Sequence, residues 1–190
     1  MNKLFTRNTV VLLVILLAVS RLDASIASQT VSWLQAKGIS ARMIILIISM
    51  LPIIELRGSI PVAILFFKMS WQEAFVLSAI GNMIPIPFIL LFIDLVFSLL
   101  SKFALGKRVV DFFTNKAITK GKDIEKYKLA GLSLFVGIPL PGTGGWTGAL
   151  AAKFLNFSFW KAIISITIGV IIAGVIVTLL SLMGHMTFVG

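Results

Sequence analysis

Two opposite charges stand inside an apolar run, and they limit what this chain can fold into. The run is Met50–Ala63, MLPIIELRGSIPVA, with Glu55 and Arg57 at its centre. Leu46–Ile54 before them and Ile60–Phe67 after them are almost wholly apolar. A charge at bilayer depth costs at least ~2.5–3.5 kcal/mol, so it must be paired, hydrated or both. Pro52 and Pro61 bracket the charges and Gly58 lies between them. Proline removes a backbone donor and breaks a helix, and glycine permits a sharp turn. The stretch therefore reads as two half-helices meeting at a charged elbow. Such backbone is tolerated in a membrane only where protein or a water-filled cavity surrounds it.

Phe135–Ala152, FVGIPLPGTGGWTGALAA, behaves in the same way. Pro139 and Pro141 end an apolar segment, Gly142, Gly144 and Gly145 supply the turn, and a small-residue helix follows. The spacing from Pro52 to Trp71 equals that from Pro141 to Trp160, 19 residues in each case. The two stretches thus read as copies, each a broken hairpin followed by a long apolar helix.

Composition sets the class. Of 190 residues 58% are hydrophobic, and the mean hydropathy of +1.06 exceeds what a soluble domain of this size needs. Long, nearly uncharged stretches mark an all-α polytopic membrane protein. Cysteine is absent and His185 is the only histidine, so Cys/His metal sites, thiol chemistry and a Ser/His/Asp set are excluded, and no cofactor is expected. The net charge of +10 fits cytoplasmic loops facing anionic lipid, and no nucleic-acid partner is expected.

In chain order, residues 1–25 carry Lys3 and Arg7 ahead of the apolar run Val10–Val19, a signal-anchor or a signal peptide that leaves residue 25 outside. Residues 26–40 read as an interfacial segment, with Ile26, Val31, Leu34 and Trp33 on one face and Gly38 at its end; no chemistry is assigned to it. Repeat 1 is 41–100, a re-entrant hairpin over 41–70 and a transmembrane helix over 71–100. Ala41–Ile53 is about 20 Å of helix, which enters a ~30 Å core without crossing it. Arg42 and Lys68 then share one face, Glu73 is solvated, and Asn82, Pro85 and Pro87 kink or break the long helix. The loop 101–128 sets eight basic residues against Asp111, Asp123 and Glu125 and belongs in the cytoplasm, against anionic lipid. Repeat 2 is 129–185, a re-entrant hairpin over 129–157 and a transmembrane helix over 158–184. Gly169, Ala173 and Gly174 allow close helix contact, and a homo-oligomer is compatible with the sequence.

Charge decides between topologies. If 41–70 simply crossed the membrane, the basic loop would lie outside, against the positive-inside rule. A re-entrant 41–70 lets the helix after it carry the chain inward, and the loop becomes cytoplasmic. The second hairpin then enters from the opposite face, so the repeats are inverted, as in many secondary transporters.

Glu55 is the first candidate for chemistry. Low dielectric disfavours a carboxylate's charge and a neighbouring guanidinium favours it, so a group balanced between the two can exchange protons near neutral pH. The plainer reading is structural, with Glu55 capping the half-helix after it and Arg57 holding hairpin carbonyls. Arg57 suits an anionic head group, or merely neutralises Glu55. Asp94 takes part in proton movement, or bonds Ser98 or interfacial water. Thr143, Gly144, Gly145, Trp146 and Thr147 line the second elbow and offer backbone groups and hydroxyls to a ligand. No Lys-Ser/Thr follows the glycines, so this is not a nucleotide loop.

ELRGSIP at Glu55–Pro61 and PLPGTGGWTG at Pro139–Gly148 together resemble the paired motifs of the bacterial small multidrug export protein family, over roughly residues 40–185. That family is similar to the DedA superfamily, which includes lipid scramblases. The resemblance implies two inverted re-entrant hairpins meeting at mid-membrane, and proton-coupled transport of a small-molecule or lipid-phosphate substrate. Glu55 matches the first-hairpin acid of DedA proteins. Their arginines near the second hairpin have no counterpart in Gly137–Ala152, which leaves Arg57 to substitute. The expectation is a multi-pass transporter of the bacterial inner membrane that moves a small or lipid-linked amphiphile and is not an enzyme. A non-transporting assembly factor acting through the basic loop is the rival. An enzyme acting on lipid would have only Glu55 and Asp94 as acid and base.

Overall fold

A computed structural model of the chain describes residues 25–100, 125–140 and 142–189. The expected signal-anchor, most of the basic loop and Pro141 lie outside the described residues. The described residues form helices joined by short breaks. They are α1 (25–36), α2 (Ala41–Met50), α3 (Glu55–Pro61), α4 (Trp71–Met83), α5 (Pro85–Leu100), α6 (Glu125–Gly137), α7 (Gly145–Phe154) and α8 (Phe159–Val189). A π-turn, Val62–Phe66, continues α3.

The breaks follow from local chemistry. Pro52 disfavours helical backbone at the residue before it. Leu51 is accordingly extended (φ −75°, ψ 134°), and α2 stops at Met50. The chain turns over 52–54 and α3 begins at Glu55, whose φ is +49°. Sequence reading gives the turn to Gly58 and opens the second half-helix there. The structure instead places Gly58 and Pro61 inside the helix. Gly58 is small because a Cβ there would come 2.6 Å from Ile54 Cγ2. Pro61 cannot donate within the helical ladder, and the next turn widens, with Phe67 N–H donating to Val62 O at 3.0 Å. In the second stretch Gly142 (φ +80°) and Gly144 (φ +155°) take the backbone that side chains avoid, and α7 starts at Gly145. The long helix after the first hairpin divides at Ile84, with Pro85 as the first residue of α5, where proline is best tolerated.

Helix directions come from pairwise contacts. Arg42 on α2 pairs with Glu73 on α4 at 2.5 Å, so Glu73, expected to be solvated, has a partner. A Cβ on Gly81 of α4 would lie 2.5 Å from Leu46 O of α2. The two helices therefore run side by side in the same direction, and the chain from 42 to 73 doubles back to where it began. On the other side, a Cβ on Gly169 of α8 would lie 2.7 Å from Ser133 O of α6, and one on Gly137 would lie 3.0 Å from Ile172. Thus α6 and α8 are also parallel. Phe75 sits against Gly174, and Met83 Sδ is 3.9 Å from Thr167 Oγ1, so α4 and α8 are antiparallel. Lys68 (φ +54°) and Asn156 (φ +58°) turn the chain just before α4 and α8 respectively.

The core lies between these layers, with Ile44, Ile48, Ile60, Ile86, Val136 and Ile166 fully buried. Phe88, Leu91, Phe92 and Leu95 on α5 face outward, as do Ile164, Ile168, Ile171 and Val175 on α8. Apolar faces of that size suit lipid, not water. Trp71–Ile93 and Phe159–Met183, 23 and 25 residues, are long and apolar enough to span a bilayer.

Candidate functional site

The two elbows exchange helix caps. A helix leaves its last carbonyls and its first N–H groups without partners, and these ends carry partial negative and positive charge. Arg57 reaches the end of α6. Its guanidinium donates to Leu140 O, to Val136 O and Ile138 O at 3.4 Å, and to Thr143 Oγ1 at 2.8 Å. Thr143 in turn donates toward Ile138 O and Leu140 O, at 2.8 and 2.9 Å. Glu55 reaches the start of α7, where Trp146 N–H donates to Oε1 at 3.2 Å. Trp146 completes the exchange, its indole N–H donating to Met50 O at the end of α2 at 3.0 Å. Each charge of the first elbow thus meets the helix end of opposite polarity in the second.

This arrangement also explains the glycine at 144. A Cβ there would lie 2.7 Å from Glu55 Cδ, and Gly144 is buried. Glu55 and Gly144 each stand three residues after a proline, Pro52 and Pro141. Both have positive φ, and both precede or open the second helix of their elbow. Only one of these matching positions has room for a side chain, and that side chain is the carboxylate.

A cavity of about 540 Å³ opens beside these exchanged caps. That is within the range of small-molecule sites, ~300–1,000 Å³. Glu55, Arg57, Thr143 and Thr147 form its polar end, and Ile54, Val62, Pro61 and Pro139 belong to its apolar wall. Glu55 is only 5% exposed. Helix α1 supplies the remaining side through Ala27, Ser28, Val31 and Ser32.

A family model described as "Putative small multi-drug export protein" matches residues 55–176, well over half of the chain. The chain belongs to that family. No curated protein and no solved structure matches it at a significant level. The small multi-drug export match opens at Glu55, takes in α3 and the second elbow, and leaves α1, α2 and the 52–54 turn ahead of it. The family's description names an exporter, and the two long apolar helices fit a membrane protein.

Within this family member, Glu55, Arg57, Thr143 and Thr147 converge on one cavity, with Pro52, Gly58, Pro61, Pro139 and Gly142 also along its wall. Gly144, Gly145 and Trp146 lie beneath it as the start of α7 and its cap. Glu55 caps the other elbow's half-helix, not its own, and none of the described Arg57 hydrogen bonds goes to Glu55. Asp94 lies on α5, and its side chain is outside the described residues.

Two features were not read from the sequence. Asn82, expected only to break a helix, is fully buried against Gly145, and neither end of its amide has a hydrogen-bond partner among the described residues. An amide in a membrane-spanning segment is itself a signal, because leaving it unpaired costs roughly 1–3 kcal/mol. The other feature is α1, assigned no chemistry, whose serines at 28 and 32 stand one turn apart on the cavity side.

Proposed function

We propose that the protein is a proton-coupled transporter of the bacterial cytoplasmic membrane, built from two inverted repeats with re-entrant hairpins, and that it carries small or lipid-linked amphiphiles through the cavity at the elbows. The observation that carries this reading is the buried Glu55 carboxylate, which lines the cavity and at the same time holds the N-terminal end of α7. A carboxylate at that position is favoured while it is charged. A proton arriving on Glu55 removes the charge and weakens the hold on α7. Proton binding and movement of the second elbow are then one event, as coupling requires. Arg57 keeps the first arm of the second elbow in place while α7 moves. Asp94 is the second proton-handling candidate. The basic loop faces anionic lipid on the cytoplasmic side.

Glu55→Gln keeps an oxygen to accept from Trp146 N–H and abolishes the titration. In vesicles holding the purified protein, with an imposed pH gradient and ethidium as the amphiphilic probe, Glu55→Gln should fall to the protein-free rate. A wild-type rate in the variant rejects the assignment.

The membrane topology rests on helix directions. Parallel α2 and α4 bring Arg42 and Glu73 together, parallel α6 and α8 repeat the pattern, and α4 runs against α8. Single cysteines at positions 42 and 68 should be modified from outside, and at 116 and 157 from inside. The natural chain has no cysteine, so the background is clean. Modification of 42 and 68 from opposite faces would mean that the first hairpin crosses the bilayer.

A further inference from the structure

The cavity has two unlike lips. Its exposed lining residues mark the mouth, and they fall into two sets. On one side α1 presents Ser28 and Ser32, each exposed, from a helix whose outer surface also carries Ser25, Gln29, Trp33 and Gln35, with Lys37 just past its end. Beside the serines, Ala27, Val31 and Leu34, all at most 5% exposed, fix α1 in the core, and Ala27 and Val31 also reach the cavity wall. On the other side the lip is Ile53, Phe66 and Leu140, which are 54%, 60% and 50% exposed, with the exposed Pro52 and Gly142 beside them. The serine edge of α1 and the apolar rim both border a mouth whose inner end is Glu55 and Arg57.

We propose that this mouth admits its ligand sideways from the bilayer, at the level where head groups meet acyl chains, and that the ligand is a single-chain amphiphile. This rests on the reading of the cavity as the transport site. A mouth opening to water would not keep three large apolar side chains half-exposed on one lip, and one opening only to acyl chains would not keep serines on the other. Serine hydroxyls donate within α1, from Ser28 to Ser25 O and from Ser32 to Ser28 O, both at 2.9 Å, which leaves their lone pairs turned to a ligand's donors. The head group passes along Ser28 and Ser32 while the chain lies on Ile53, Phe66 and Leu140. Helix α1 precedes the stretch that matches the family, so this lip is a feature of the present chain outside the matched residues.

The full chain in nanodiscs of phosphatidylethanolamine and phosphatidylglycerol, doped with a single-chain C12 amine bearing an alkyl diazirine, tests this directly. After irradiation, peptide mapping should find saturable adducts at Ile53, Phe66 and Leu140. Adducts at the lipid-facing Phe88, Leu91 and Ile168 should be non-saturable. Ser32→Trp, which fills the polar side of the mouth, should remove the saturable fraction, and Gln29→Trp on the same helix should keep it. Non-saturable labelling of the lip, or saturable labelling that survives Ser32→Trp, overturns the proposal. Glu55→Gln should leave lip labelling intact. Intact labelling together with wild-type transport in Glu55→Gln would therefore reject the coupling role and keep the mouth.

Discussion

Replacing Gly144 by alanine is expected to be among the most damaging single-methyl changes this protein can suffer. The new Cβ would overlap Glu55 Oε2 and approach Cδ to 2.7 Å, and the φ of +155° is one that side chains rarely adopt. A residue held in such a conformation costs about 1–3 kcal/mol. Eviction of the carboxylate adds about 1.5–3 kcal/mol for the charged hydrogen bond to Trp146 N–H. The melting temperature in detergent should fall by about 10 °C or more, and transport should vanish. The cause can be separated by a double variant. In a Glu55→Ala background the clash is gone, so Gly144→Ala should then cost only the backbone strain. An equal cost in both backgrounds would mean that the two positions do not share one space.

The second large effect belongs to Arg57. Its fork gathers Leu140 O, Val136 O, Ile138 O and Thr143 Oγ1 into one cap at the end of α6. Lysine offers a point charge on a flexible stem and cannot reproduce a planar, several-pronged contact. Arg57→Lys should lose about 3 kcal/mol of stability, and Arg57→Ala more, since the carbonyls it held lose their charged donor. The measurement is unfolding in mixed micelles, followed by the near-ultraviolet signal of the chain's aromatic side chains, its four tryptophans above all. Wild-type stability of Arg57→Lys would show that charge alone suffices and that the fork geometry is incidental.

Much of this architecture is visible in local patterns. Pro52 and the Pro139 region stop helices where proline must, Gly38 ends α1, Pro85 divides the long helix, and ELRGSIP with PLPGTGGWTG carries the family. The site's wiring is different. The positive φ that opens α3 is taken by Glu55, where propensity favours a glycine such as Gly58, three residues on. Propensity is wrong here because the carboxylate is anchored by a residue 91 positions away. Likewise, the partners of Arg57 lie 79 to 86 positions along the chain, beyond any periodicity or spacing rule. Helix α1 was legible as a helix with Val31 and Leu34 on its apolar face, but Trp33, read onto that face, is 62% exposed, and the helix's role as a wall depends on where the first elbow folds against it. The unpartnered amide of Asn82 is a tertiary fact of the same kind.

That long separation has a consequence for how the protein is made. A ribosome adding about 5–20 residues per second needs roughly 5–20 s between delivering Glu55 and delivering the 146th residue. During that interval the first elbow holds a carboxylate and a guanidinium whose partners have not yet been synthesised. Until the second elbow emerges, those two groups have only each other and water as partners, within the insertion machinery or at the head-group layer. Assembly of this protein is thus committed late, by its C-terminal half.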